Sequence, residues 1–505
     1  MNLDESRLLS GRLLASSAVW SLAAQALPAI VGVVTIPFIV RGLGVERFGV
    51  LTLAWMVIGY FSLFDLGLGR AVTKMAAEFL ASTKPSNVDG LVWTAWYLML
   101  GLGIGGTIAL SIATPWLVTT AVKIPVALQR ESRQAFYLLA CAIPIVVLTT
   151  GFRGVLEAAQ RFRLTSFVKI PMGALTFAVP LLVLTFTRNL AIIVLTLITV
   201  RLLGAVVYAL MCHRVVHVSA TPTLFDRATA KTLLRLGAWM TVSNVVSPLM
   251  MSVDRFFVGG IVSVAAVAYY ATPFEAVTKL LIIPSAIAAV LFPAFSTASV
   301  INRERMVELF RTGLWVLFLT IYPIAFVVVT FAPELLRFWL GSAFALQSTD
   351  ALRWLAVGVL MNSLASMPFA LLQGVGRSDT TAKIHLVEAA PYLLLMVWLI
   401  HRYGITGAAI AWTARTTLDL ALLYWQTGQF YWQTGQRLVA AKAGWFRNIA
   451  IFVLLTPALA LGVFVRSPLQ KLLLTSILLV LFAVSAWATA EGRRARIAPV
   501  PERLG

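Results

Sequence analysis

Five basic residues lie inside long apolar stretches of the sequence, where a charge is costly to bury. They are Lys169, Arg201, Arg255, Lys279 and Arg415. A basic side chain at the centre of a bilayer costs about 2.5–3.5 kcal/mol on insertion scales. We therefore expect each of them to face a water-filled cavity or a charged partner. Arg201 is the strongest candidate for a cavity, because it lies too deep in its apolar stretch to reach the membrane surface easily.

Helical spacing gives acidic partners to some of these cations. Glu275 and Lys279 are four residues apart in the favourable order, with the acid first, and Arg415 and Asp419 have the same four-residue separation. For these four residues, structural pairing and substrate contact both remain open. Lys169 has no acid within one helical turn, and it lies near the start of its helix. It can therefore either extend to the membrane surface or face a cavity.

Four acidic residues also fall inside apolar stretches, and they are Asp254, Glu275, Glu388 and Asp419. Acids within a membrane are candidate sites for Na⁺ or a proton. Asp254 and Arg255 are neighbours in sequence and point about 100° apart on a helix, so they cannot pair side by side on one face. Glu388 is the clearest candidate for cation coupling, because no basic residue follows it within a turn.

The cysteines and histidines predict neither a disulfide nor a metal site. Cys141 and Cys212 both lie in apolar runs. His213 and His217 have helical spacing, but they lie in a basic loop with no third ligand nearby. The sequence also contains no phosphate-binding loop of the Gly-x4-Gly-Lys-Ser/Thr type. We therefore expect no metal and no cofactor, apart from a Na⁺ ion or a proton at the acids named above.

The composition is that of a membrane protein. Hydrophobic residues make up 60% of the 505 residues, charged residues only 12%, and the mean hydropathy is +0.90. Soluble domains carry roughly 25% charged residues. Apolar runs of spanning length, without the alternation of a barrel strand, predict an all-α membrane protein with about fourteen transmembrane helices. The predicted spans are 16–40, 48–66, 91–113, 135–152, 166–187, 190–212, 236–258, 266–293, 312–332, 354–373, 384–400, 405–425, 448–465 and 472–490.

The distribution of basic residues predicts the orientation. The net charge of +20 would suggest nucleic acid binding in a soluble protein, but in a membrane protein the loops that carry the charge are what matters. With the N-terminus in the cytoplasm, the cytoplasmic loops and tails hold most of the loop Lys and Arg residues, including those of the C-terminal tail. This bias predicts cytoplasmic N- and C-termini, and we expect no nucleic acid partner.

An internal repeat predicts the domain organisation. At one constant offset, Gly44 pairs with Gly260 and Leu156 with Leu372, each at a corresponding place in a set of six helices. An even number of helices between matched positions predicts parallel repeats. We expect an N-lobe of helices 1–6 in residues 1–217 and a C-lobe of helices 7–12 in residues 218–437. Residues 438–505 add two helices and a basic cytoplasmic tail.

Glycine-rich and charged helix ends follow one another in a characteristic order. They are Arg41-Gly-Leu-Gly-Val-Glu-Arg-Phe-Gly49, Phe64-Asp-Leu-Gly-Leu-Gly69, Gln160-Arg161-Phe162, Asp254-Arg255-Phe256 and Leu291-Phe292-Pro293. Over roughly residues 10–430, this series resembles the polysaccharide (O-antigen-type) flippase family of the multidrug/oligosaccharidyl-lipid/polysaccharide exporter superfamily. The resemblance implies a bacterial inner-membrane protein with two pseudo-symmetric lobes in a V shape and alternating access between them. It also implies a lipid-linked glycan substrate, undecaprenyl-pyrophosphate oligosaccharide, moved from the cytoplasmic to the periplasmic leaflet.

Under this resemblance the buried cations acquire a role. A pyrophosphate head is best bound by Arg and Lys, and a cationic cavity lowers the cost of moving it across the bilayer. The expected substrate-binding residues are Arg201, Lys169, Arg255, Lys279, Arg415 and Arg41, the last at the outer end of the first helix. The polymerase and glycosyltransferases of the same pathway are the expected partners.

Three other functions remain open at this stage. A multidrug/cation antiporter of the same superfamily would need an acidic cavity, whereas the predicted helices hold five basic residues against four acids, with Asp65 at a boundary. A lipid II flippase shares the architecture, and composition does not separate it from a polysaccharide flippase. A membrane-embedded glycan polymerase or ligase would be an enzyme, and it generally needs a long outer loop that this sequence lacks. We expect a transporter and no catalytic residues.

Overall fold

The computed structural model describes residues 11–60, 65, 67–81, 88–159, 161–216, 225–235, 250, 253–301, 303–433, 467, 469–477 and 480. The predicted span 448–465, most of 236–258 and 472–490, and the basic C-terminal tail lie outside these residues. Phe64, Gln160 and His217 lie outside them as well. Every regular element in the described part is helical, so the prediction of an all-helical fold is confirmed there.

Fourteen α-helical segments follow in order along the described chain. They are α1 Gly11–Leu43, α2 Val45–Tyr60, α3 Leu68–Ala81, α4 Val88–Trp116, α5 Val126–Ala158, α6 Phe162–Val183, α7 Leu190–Met211, α8 Val253–Ile261, α9 Val264–Thr278, α10 Ile282–Ile301, α11 Arg303–Thr330, α12 Ala332–Leu340, α13 Ser342–Gly374 and α14 Ser378–Gln433. The π-helical segments Leu117–Ala121 and Cys212–Val216 continue α4 and α7, and a 3₁₀ turn, Lys279–Leu281, joins α9 to α10. These segments do not correspond one to one with membrane spans, since several are short.

Nine helices within the described residues are long and apolar enough to cross a membrane. The protein is therefore a multi-pass membrane protein, and the count of fourteen spans stays a prediction. The predicted spans 384–400 and 405–425 fall in the single segment α14, which Gly404 breaks with a φ of 57° and a ψ of −134°. A positive φ is accessible to glycine at little cost, so this residue separates two helices in one continuous segment.

The chain divides into two compact units. The first contains Met1–Ile282 and His385–Ala411, and the second contains Ile283–Ile384 and Trp412–Gly505. In the first unit α4 packs on α5, α1 on α6, α5 on α7, and α2 on α9. In the second, α13 packs on α11 and α12. The predicted division at residues 217 and 437 stays a prediction.

An ion pair with a buried lysine and a tight aromatic contact lie in the second unit. Lys471 is buried, its Nζ lies 2.7 Å from Glu334 Oε1 on α12, and it lies 5.9 Å from the centre of the Phe331 ring. Trp412 is fully buried and lies against Gly358 of α13. The ion pair therefore fixes the helical residues 469–477 to α12.

Glycines allow the helices of the first unit to approach closely. A Cβ atom on Gly103 of α4 would lie 2.6 Å from the Cα atom of Pro144 on α5, and one on Gly173 of α6 would lie 2.6 Å from Pro28 Cγ on α1. Gly49 of α2 packs directly on the backbone carbonyl of Val264 at the start of α9. In a membrane the packing of small residues replaces the hydrophobic effect as the force between helices.

We expect Gly103→Ala to destabilise the protein and Gly105→Ala, two residues along the same helix, to leave stability unchanged or slightly raised. Alanine at 103 collides with the Pro144 backbone, whereas nothing lies within 4 Å of a Cβ at 105. Overpacking costs about 1–3 kcal/mol, and an alanine in an open helical position gains up to about 1 kcal/mol over glycine. Thermal unfolding of the purified protein in detergent measures both. Equal midpoints for the two variants would contradict this account of the α4–α5 contact.

Candidate functional site: a cationic cavity in the first unit

A cavity of about 390 Å³ lies among the helices of the first unit. This volume is within the range of small-molecule binding pockets, roughly 300–1,000 Å³. Six helices contribute to its wall: α1, α2, α6, α7, α8 and α9. The lining residues are Ile36, Phe48, Thr52, Trp55, Met56, Gly59, Thr176, Phe177, Arg201, Arg255, Ala271, Thr272 and Glu275.

Arg201 reaches this cavity from the middle of α7. The helix begins after Asn189, whose side chain accepts hydrogen bonds from the backbone N–H groups of Ala191 and Ile192. Leu190 N–H also donates to the carboxylate of Glu131 on α5, which fixes the start of α7. Along the described chain no ion pair joins Arg201 to an acid. Its charge is therefore directed at the cavity, as expected for an intramembrane cation far from both helix ends.

Arg255 is the second cation of the cavity, and three contacts determine its position. Its side chain is almost completely buried, and its Nη2 donates to Glu275 Oε1 at 2.7 Å. Its guanidinium carbon lies 5.0 Å from the centre of the Phe274 ring, a cation–π contact. Its backbone N–H donates to the Asp254 carboxylate at 2.8 Å. Glu275 and Phe274 thus hold the guanidinium, and Asp254 fixes the backbone of α8 at the same residue.

Asp254 is fully buried beside Arg255. Its Oδ1 accepts the hydrogen bond from the Arg255 backbone, and its Oδ2 accepts one from the Tyr270 hydroxyl at 2.6 Å. Both oxygens therefore have donors, which offsets the desolvation of a buried carboxyl group. Asp254 joins α8 to α9, and it does not line the cavity.

Glu275 connects two cations. Its Oε1 binds Arg255, and its Oε2 accepts a hydrogen bond from Lys279 Nζ at 3.1 Å. The Glu275–Lys279 contact predicted from the four-residue spacing is confirmed. The Arg255–Glu275 contact joins residues on two different helices, and spacing along one helix does not indicate it. The three residues form a triad with one net positive charge.

Aromatic rings also line the cavity. Trp55 of α2 and Phe177 of α6 meet edge to face with ring centres 5.2 Å apart, and Phe48 meets Trp55 at 5.9 Å. Sequence reasoning missed these residues. The signal was present, because Phe48, Thr52, Trp55 and Gly59 recur at helical spacing and share one face of α2.

The structure places the other predicted site residues elsewhere. Lys169 and Arg41 are exposed and do not line the cavity, and Lys169 lies within electrostatic range of Arg153 and Glu157. Glu388 is buried in the part of α14 that belongs to the first unit. Arg415 and Asp419 are buried in the second unit. The cavity thus brings together Arg201, Arg255 and Glu275. Lys279 and Asp254 do not line it, but they contact Glu275 and Arg255. The roles of all these residues stay predictions.

Comparison with known proteins identifies the family. The model of the family described as "Polysaccharide biosynthesis protein" matches residues 38–349. The chain is also 31% identical over 409 residues to the "Putative O-antigen transporter" of Shigella flexneri, covering 81% of this chain and 96% of that protein. The chain belongs to the polysaccharide biosynthesis protein family. The resemblance seen in the sequence motifs is confirmed, and for this family member the cavity becomes the candidate transport site.

Solved structures show the same fold in more distant proteins. The lipid II flippase MurJ in an inward closed conformation matches with a TM-score of 0.70 at 13% identity, over 94% of this chain and 99% of that chain. A multidrug resistance MATE family transporter matches with a TM-score of 0.63 at 17% identity, over 82% of this chain and 94% of that chain. At these identities the matches establish the fold of the family member and not its substrate.

We expect Tyr270→Phe to lower the melting temperature, because it removes a hydrogen bond from a fully buried carboxyl group. An unsatisfied buried polar group costs about 1–3 kcal/mol. Tyr403→Phe is the matched control, because Tyr403 is mostly exposed on α14 in the same unit. Both variants can be followed by thermal unfolding in detergent. A Tyr270→Phe protein as stable as the control would show that this hydrogen bond does not support the Asp254–Arg255 arrangement.

Proposed function

We propose that this protein is a flippase for undecaprenyl-pyrophosphate-linked oligosaccharides in the bacterial inner membrane. In this role it moves the repeat units from the cytoplasmic to the periplasmic leaflet for surface or exopolysaccharide synthesis. The observation that carries the proposal is Arg201, an intramembrane cation that faces a cavity and has no acid bound to it within the described residues. The similarity to the putative O-antigen transporter of Shigella flexneri supports the proposal.

The charge of the cavity suits an anionic head group. Two guanidinium groups and one carboxylate line it, which leaves one net positive charge in the described wall. A pyrophosphate diester carries about two negative charges, and arginine binds such groups with two parallel hydrogen bonds. The cost of removing the phosphates from water is lowered when the cavity already holds fixed cations. The lipid tail needs no site in the cavity, because it stays in the bilayer.

The aromatic wall suits the sugar part of the same substrate. Trp55 and Phe177 present apolar rings beside the cationic groups, and the apolar face of a sugar ring can pack on such surfaces. A cavity lined by both cationic and aromatic groups suits a molecule in which a diphosphate is joined directly to a sugar. A cationic drug would instead be repelled by the net positive charge, which argues against the multidrug antiporter.

The orientation and the transport cycle belong to the same proposal. Cytoplasmic N- and C-termini, fourteen spans, two six-helix lobes and alternating access between them are predicted from the charge distribution, the repeat and the family resemblance. Glu388, Asp419, Asp254 and Glu275 are the candidates for Na⁺ or proton coupling. Glu388 is the first acid to test in a coupling assay, because it is buried within the long apolar helix α14. The polymerase and glycosyltransferases of the pathway are the proposed partners.

We expect Arg201→Gln to abolish most of the transport in a strain that lacks the chromosomal gene. Single lipid-linked repeat units should accumulate and surface polysaccharide should fall about tenfold or more, since a hydrogen bond to a charged group contributes about 1.5–3 kcal/mol. Arg201→Lys should retain part of the activity, because it keeps the charge and loses the planar fork. The assay is extraction and chromatography of lipid-linked intermediates together with a surface polysaccharide blot.

Arg188→Gln is the control for the Arg201 variants. It removes an exposed arginine in the short connection between α6 and α7, outside the cavity, and it should transport normally. If Arg201→Gln transports as well as Arg188→Gln at equal protein levels, the cavity is not the path of the phosphate head. Accumulation of lipid II in place of the glycan repeat unit would assign the protein to peptidoglycan synthesis.

A further inference from the structure

Glu275 is the one acid among the described residues that line the cavity, and it contacts Arg255 in the way that a phosphate group would. Its Oε1 accepts a charge-assisted hydrogen bond from Arg255 at 2.7 Å, the kind of contact that a phosphate oxygen makes with arginine. Phosphate oxygens and carboxylate oxygens therefore compete for the same Arg255 donor. Arg201 carries no such competitor among the described acids.

We propose that Glu275 is an exchangeable counterion, which the diphosphate of the substrate displaces from Arg255 and which returns to Arg255 when the substrate leaves. The inference rests on the proposed function. It gives a role to Glu275, which is negatively charged like the substrate. Arg201 is then the permanent anchor of the anion, and Arg255 is the conditional one.

Lys279 makes the exchange possible. It binds the other oxygen of the carboxylate, Oε2, at 3.1 Å, so Glu275 keeps one cation when it gives up Arg255. A carboxylate left alone in a membrane would be far more costly. The side chains of Glu275 and Lys279 are 39% and 42% exposed, whereas that of Arg255 is 5% exposed. The pair can thus move as a unit while the buried Arg255 guanidinium stays against the Phe274 ring.

The exchange also selects for charge. A group with one negative charge can bind Arg201, but it gains little by replacing a carboxylate of equal charge on Arg255. A diphosphate has a second anionic group to offer to Arg255 while the first binds Arg201. The cavity therefore favours diphosphates over single phosphates, and the return of Glu275 to Arg255 assists their release.

The first test measures binding of inorganic pyrophosphate by isothermal titration calorimetry, with the full-length protein in nanodiscs of phosphatidylcholine at constant ionic strength. We expect Glu275→Gln to bind pyrophosphate about tenfold more tightly than the unmodified protein, a difference of about 1.4 kcal/mol. Arg201→Gln should lose binding. Glu308→Gln is the matched control, because Glu308 pairs with Arg305 on an exposed helix face outside the cavity, and it should bind as the unmodified protein does.

The second test uses Lys279→Gln alone and combined with Glu275→Gln. Without Lys279, Glu275 is held by Arg255 alone, so pyrophosphate binding should weaken about tenfold. In the Glu275→Gln background the loss of Lys279 should change the affinity much less, since no carboxylate remains to be displaced. An equal loss in both backgrounds would mean that Lys279 attracts the anion directly, and it would overturn the exchange. If Glu275 and Lys279 only stabilised the fold, both Glu275→Gln and Lys279→Gln would weaken pyrophosphate binding.

Transport adds a readout that separates this inference from the proposed function. Glu275→Gln should lower surface polysaccharide several-fold despite its tighter binding, because release of the diphosphate becomes slow. If Glu275→Gln binds pyrophosphate no more tightly than the unmodified protein while Arg201→Gln still loses binding, the exchange is wrong and the cationic cavity stands. If neither the unmodified protein nor Glu275→Gln binds pyrophosphate, the exchange is also wrong. If Arg201→Gln transports normally, the proposed function is wrong as well as the exchange.

Discussion

The cavity depends on the two ion pairs that the Glu275 carboxylate makes with Arg255 and Lys279. A guanidinium as deeply buried as that of Arg255 needs a counter-charge, because neither lipid nor packed side chains can solvate it. Glu275 supplies this charge and leaves the triad with one net positive charge. The Phe274 ring contacts the same guanidinium, and Asp254, which accepts a hydrogen bond from Tyr270, binds the backbone N–H of Arg255. The cavity therefore stays cationic, and the charge of Arg255 is not isolated within it.

The positions of these charges depend in turn on close helix packing. Four of the six helices that line the cavity are α1, α2, α6 and α9, and glycines lie at two of the contacts between them. Gly49 lies on the Val264 carbonyl where α2 meets α9, and Gly173 lies on Pro28 where α6 meets α1. A larger residue at either position would separate the helices and move Trp55 and Phe177 away from the guanidinium groups. Close packing at glycines therefore sets the geometry of the cationic cavity.

The sequence predicts those features of the fold and the site that depend on local patterns. Length and hydropathy indicate the helices, four-residue spacing indicates the Glu275–Lys279 contact, and depth within an apolar run indicates that Arg201 faces a cavity. The Arg255–Glu275 pair could not be predicted, because the residues lie on different helices and meet only through the packing of α8 on α9. For Lys169 the sequence left two positions open, at the membrane surface or facing a cavity, and the fold leaves its side chain exposed and outside the cavity lining.

The two arginines of the cavity differ in one respect that bears on transport. A transporter has to bind its substrate and release it, and a cavity of uncompensated cations would bind a diphosphate too tightly to let it go. Only interactions that change between the loaded and unloaded states help the substrate move. Arg201 alone could provide attraction, but it offers nothing that competes for the anion once bound. The carboxylate beside Arg255 provides that competitor within reach of the same guanidinium. An acid placed inside a cavity for anions is therefore consistent with transport, and a cavity without one would be better suited to storage than to release.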